Sequence, residues 1–116
     1  MYSFLISILL FTFIFVTNVF GEIKIGIILG FSGPIERLTP AMAESAELAF
    51  KEASESKLLL DGETIKVVKA DSTCTDPDAA TVAAENVISE GVKAIIGAVC
   101  PSITKAILLN SAIPNK

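Results

Sequence analysis

Between Glu22 and Lys116, short strand-like runs alternate three times with segments whose apolar residues recur at helical spacing, each change marked by Gly, Pro or Asp. This alternation constrains the fold strongly, because parallel neighbouring strands cannot be joined by a tight turn and need a crossover, which a helix supplies. The run Glu22 to Leu29 (EIKIGIIL) begins by alternating and becomes continuously apolar, as a central strand covered on both faces should. It ends at Gly30-Phe31-Ser32-Gly33-Pro34, a breaker cluster that must be a loop. Thr39-Pro40 then offers an N-cap oxygen and a proline at the first helical position. The helix starting there is predicted to reach about Ser56, with Met42, Ala46, Ala49, Phe50 and Ala53 inward and Glu44, Glu47, Lys51, Glu52 and Glu55 outward.

After a turn at Asp61-Gly62, Thr64 to Ala70 (TIKVVKA) reads as a second strand. Asp76-Pro77 repeats the cap-plus-proline start, and Ala80, Ala83, Ala84, Val87 and Ile88 form an apolar stripe stopped by Gly91. Lys93 to Val99 is a third strand, and Cys100-Pro101-Ser102 leads into Ile103, Ile107 and Leu108, a helical pattern of about nine residues. Strands alternating with helices imply a parallel sheet wound by right-handed crossovers, an α/β, doubly wound, three-layered and Rossmann-like fold, and strand order two-one-three is expected for the strands seen. The sequence stops at Ala112 to Lys116, just where a fourth strand would be expected, so it reads as a fragment.

Residues 1–21 differ in kind. They hold no charged side chain and six of the eight aromatics, so all 22 charges fall on residues 22–116. An apolar run from Phe4 to Val16 followed by small or modest residues before Gly21 has a signal-peptide layout, with cleavage expected after Gly21. The competing reading is a retained membrane anchor. Export would place Cys74 and Cys100 in an oxidising compartment, where a structural disulfide can persist; buried thiols in a protein kept inside the cell are the alternative. Two cysteines without histidine make a poor metal site, and no metal or cofactor is implied.

The net charge of −4, with nine basic residues scattered singly, gives no footprint for nucleic acid. In an open parallel sheet, ligands bind beyond the carboxyl ends of the strands, which singles out the loops Gly30 to Gly33, Asp71 to Asp76 and Val99 to Thr104. Asp71 stands where a ribose-binding acid would, but Gly26, Gly30 and Gly33 do not have dinucleotide spacing. Ser32, Ser102 and Thr104 bring hydroxyls to strand ends, and for Ser102 and Thr104 helix capping is the simplest role, with anion binding at the helix start the functional one. With no histidine and no nucleophile motif, no catalytic residue is expected.

The stretches IKIGIILGFSGP, AESAELAFKEA, DSTCTDPDAATVAAENVISEGVKAIIGAVC and PSIT together resemble the start of the branched-chain amino acid (Leu/Ile/Val-type) substrate-binding proteins of ABC transporters, the type 1 periplasmic binding class. The resemblance covers residues 23–116 and is most specific in the D-x-x-C-x-D-P loop and in G-V-K-x-I-I-G-x-x-C. It implies a signal peptide at 1–21 and a partial N-terminal lobe at 22–116, in a periplasmic protein that captures an amino acid or small polar relative without catalysis and delivers it to a membrane permease. It also implies a Cys74–Cys100 disulfide and ligand contacts from Leu38, Val99, Cys100, Pro101 and Ser102. Two positions depart from the family pattern: Pro101 stands where a serine commonly follows the second cysteine, and Leu38 where an aromatic often follows the first loop. A membrane-anchored ligand-sensing receptor domain and an exported α/β enzyme are the readings from other classes.

Overall fold

The computed structural model describes residues 21–58 and 62–116. The expected leader, apart from Gly21, and Asp61 of the expected turn lie outside the described residues. Strand β1 (Glu22–Leu29), helix α1 (Thr39–Ser56), strand β2 (Thr64–Asp71), helix α2 (Pro77–Ser89), strand β3 (Ala94–Gly97) and helix α3 (Pro101–Ile107) follow in order, and a π-helical turn (Leu108–Ala112) continues α3. The sheet is parallel with order β2-β1-β3, as the pattern predicts. Glu22 lies opposite Thr64 and Leu29 opposite Asp71, while Ile25 to Ile28 lie opposite Ala94 to Gly97.

The apolar end of β1 explains its central place. Ile27 points to the face carrying α1, where it packs with Leu29 and Ala43 against half-buried Phe31, Ala46, Phe50 and Val67. Ile28 points to the opposite face, among Ala80, Ala84, Val87, Ala98, Ile103 and Ile107 of α2, α3 and the loop between. Both isoleucines are fully buried, worth about 1.5–3 kcal/mol each in transfer terms. Small residues let the helices approach: a Cβ at Gly26 would lie 2.6 Å from Val87 Cγ1.

Local chemistry set some boundaries differently from the sequence reading. Asp76 caps α2 as expected, accepting from the N–H groups of Asp78 and Ala79. Thr39 does not cap α1. Its hydroxyl is buried and donates to the Gly30 carbonyl at 2.8 Å, tying the first loop to the helix, and Leu38 takes the cap position. Helix α1 is turned slightly from the expected face: Ala46, Phe50 and Ala53 face inward as expected and Ala43 is buried, whereas Met42 and Ala49 are exposed. The rotation brings Glu47 to the sheet, where Lys69 Nζ lies 2.7 Å from its Oε1. Ser102 and Thr104 do not cap α3 by side chain; Thr104 Oγ1 instead donates back to the Cys100 carbonyl. Strand β3 is shorter than Lys93 to Val99, and Ser111 holds the π-helical turn to α2 by donating to the Thr81 carbonyl.

Candidate functional site

All three loops at the carboxyl edge of the sheet are fastened to one another. The first link is Asp71, the last residue of β2. Its carboxylate accepts from the Ser32 hydroxyl at 2.5 Å and the Ser32 N–H at 3.2 Å across from the first loop, and from the Thr73 N–H at 2.8 Å in its own. Burial pushes this carboxyl up, but hydrogen bonds from the Ser32 hydroxyl and from the Thr73, Ser32 and Phe31 N–H groups outweigh it and hold the group below its ordinary value. Gly33 completes the junction at φ 88°, where a Cβ would collide with the Thr73 carbonyl oxygen.

The second link is the disulfide between Cys74 and Cys100, whose Cα atoms are 5.7 Å apart. It joins the second loop to the third. Gly30 packs beneath it, since a Cβ there would lie 3.1 Å from Cys74 Sγ. Both loops pass through left-handed backbone, at Thr73 (φ 55°), Cys74 (φ 63°) and Val99 (φ 66°). For β-branched Thr73 and Val99 this conformation is costly, and such strain concentrates where a surrounding structure holds a site in shape.

The residues expected to contact ligand are placed unevenly. Val99 presents its side chain outward, 49% exposed, between buried Ala98 and the disulfide. Pro101 is the first residue of α3, and both it and Ser102 are exposed. Cys100 is half-buried, its N–H donating to the Ala98 carbonyl at 2.8 Å. These four residues form one contiguous segment, exposed except at Cys100. Leu38 is 64% exposed at the other end of the first loop, immediately before α1. Hollows of about 120, 300 and 280 Å³ open on the described residues, and these are not lined by Leu38 or by Val99 to Ser102. The last is bordered by Phe31, Pro40, Ala43, Glu44 and Lys69. Among the described residues, no group of three or more acidic or cysteine side chains could hold a metal ion.

Asp71 is the member of the site whose role the sequence reading missed. Its signal was the hydroxyl of Ser32, but the two lie 39 positions apart and meet only through the β1–β2 register.

The family model described as periplasmic binding protein matches residues 22–109, covering the sheet, all three helices and the linked loops. The chain belongs to this family. The Leu/Ile/Val-binding protein of Escherichia coli (strain K12) is 31% identical over 84 residues, 72% of this chain and 22% of the relative. The Leu/Ile/Val/Thr-binding protein of Salmonella typhimurium matches over the same shares. Among solved structures, a possible leucine/isoleucine/valine-binding protein from Rhodopirellula baltica superposes with a TM-score of 0.71 at 23% identity, covering 84% of this chain and 27% of that one. An ABC transporter solute binding protein from R. palustris in complex with benzoate superposes at 0.62 with 29% identity, covering 76% and 24%. The periplasmic binding protein chain described here thus spans about a fifth of the length of the curated relatives it matches.

Proposed function

We propose that residues 22–116 form part of the N-terminal lobe of an ABC-importer solute-binding component, which captures a small carboxylate with an apolar body in the periplasm and passes it to a membrane permease. The observation that carries this reading is the family match over the linked loops, combined with the ligands of the relatives. Leucine, isoleucine and valine, named for the E. coli protein, and the benzoate bound by the R. palustris protein share a carboxylate on an apolar group. An amino acid of the branched-chain type is the first candidate. The segment Val99 to Ser102 and Leu38 supply one wall of the cleft, and Pro101, with neither hydroxyl nor N–H, leaves polar recognition at that point to its neighbours. Capture proceeds by closure of two lobes, without bond chemistry. Residues 1–21 act as the export signal.

That the lobe is partial agrees with β3 and its surroundings. Ile96, Leu108, Leu109 and Ile113 are each more than 40% exposed, an apolar surface suited to further elements of the lobe. Titration calorimetry of the complete two-lobe protein against L-leucine, L-isoleucine, L-valine and benzoate tests the proposal. One site per chain for at least one of them is expected, and residues 22–116 alone should bind none measurably. Absence of binding by the complete protein refutes the transport reading, and tight binding by the partial lobe refutes the two-wall mechanism.

A further inference from the structure

We infer that Asp71 is a positioning residue for the ligand wall, because its carboxylate joins Ser32 of the first loop to Thr73 of the second, next to the disulfide that joins Cys74 to the wall segment at Cys100. The inference rests on the ligand reading given above and adds a residue that touches no ligand.

Each loop would otherwise be free to choose its own position on the edge of the sheet. The loop from Gly30 to Leu38 is anchored at its far end by Thr39 and at its near end by the Ser32 bonds to Asp71. The second loop has only two residues between Asp71 and Cys74, both with tightly specified backbone: the Ser72 N–H donates to the Leu29 carbonyl and Thr73 is left-handed. A displacement of Thr73 therefore reaches Cys74 through rigid chain, and Cys100 through the cross-link. The Asp71 carboxylate thus holds the first loop, and through Thr73, Cys74 and the disulfide it holds Val99 to Ser102. With the bonds intact the three loops are pre-organised, and a ligand need not spend binding energy on selecting the competent arrangement.

The test uses the complete two-lobe protein, with whichever of L-leucine, L-isoleucine, L-valine and benzoate it binds as the probe. Asp71→Ala removes both acceptor oxygens and with them all three bonds, including the Ser32 and Thr73 N–H bonds that share Oδ1. Its affinity should fall about tenfold or more, as a competent fraction near one drops to roughly a tenth. Ser32→Ala, a milder change that leaves the Thr73 bond in place, should weaken binding in the same direction by less. The double variant should be no weaker than Asp71→Ala alone, since both changes break one link. Amide exchange supplies a local readout: Ser32 and Thr73 should lose protection in Asp71→Ala while Ile27 and Val68 keep theirs, which separates displaced loops from general unfolding. Unchanged affinity in Asp71→Ala, with Ser32 and Thr73 deprotected, overturns the inference and leaves the ligand reading standing. Losses that add in the double variant overturn it too. If the unaltered protein binds none of the four compounds, the ligand reading falls and this inference falls with it.

Discussion

Replacing Cys74 and Cys100 together by alanine removes the cross-link between the second and third loops, and its cost can be worked from the chain. The two residues are 26 positions apart, and closing a loop of that length in the unfolded chain corresponds to about 3.5 kcal/mol at 25 °C in the chain-entropy treatment. Both side chains are half-buried, so lost packing adds little to this figure. Small domains have total stabilities of roughly 5–15 kcal/mol, which makes the disulfide a large share of the whole. With a urea dependence of about 1–3 kcal/mol per molar, the midpoint of unfolding should fall by about 1.2–3.5 M. Urea melts of the oxidised protein and the double alanine variant, followed by circular dichroism, measure the shift directly. Alkylation of the native, unreduced protein should modify neither cysteine. A midpoint change below about 0.3 M, or two thiols open to alkylation before reduction, would refute the reasoning.

Four further outcomes follow from the same structure. Asp76→Ala should cost about 1 kcal/mol by removing the acceptor for Asp78 and Ala79 at the start of α2, seen as a lower melting temperature. Ile27→Ala and Ile28→Ala should each cost about 2–5 kcal/mol although they face opposite layers, and a cost confined to one of them would contradict the central place of β1. Gly33→Ala should destabilise the protein, because both φ 88° and the nearby Thr73 carbonyl resist a Cβ; equal stability of the two would show that the first two loops are not so closely joined. Asp71 has a lowered pKa when folded, so its contribution to stability is present above its ordinary value of 3.8 and lost as pH falls through the folded value. Acid unfolding of Asp71→Asn should accordingly lack that part of the decline below about pH 4, and identical acid profiles would count against the carboxylate's role.

What could be read from the residues depended on how local the cause was. The polar-to-apolar change along β1 reports burial on both faces, and Asp76-Pro77 and Gly91 bracket α2 because caps act within a few positions. Right-handed crossovers alone do not fix strand order; the order was legible because the continuously apolar end of β1 marks it as the central strand of the three. Thr39 misled because its hydroxyl is turned away from the helix N–H groups and donates to the Gly30 carbonyl of the preceding loop, nine positions back, a contact that local sequence does not announce. The rotation of α1 escaped for a similar reason. Its residues are mostly Ala, Glu and Ser, so the apolar stripe is shallow, and packing of Ala43 with Ile27 and Leu29 sets the face that turns in. At the site, the disulfide pairing followed from the family resemblance, whereas Asp71 and Ser32 meet only once β1 and β2 are in register.

On the function proposed above, the linked loops, and Val99 to Ser102 in particular, form the wall that meets the ligand. Amide exchange of the full-length protein, with and without the compound it binds best, tests this. New protection is expected at Val99, Cys100 and Ser102 and at the loop ending in Leu38, with the outer strand β2 unchanged from Thr64 to Lys69. Protection confined to Phe31, Ala43, Glu44 and Lys69, around the hollow beside α1, with Val99 to Ser102 unaffected, would contradict it.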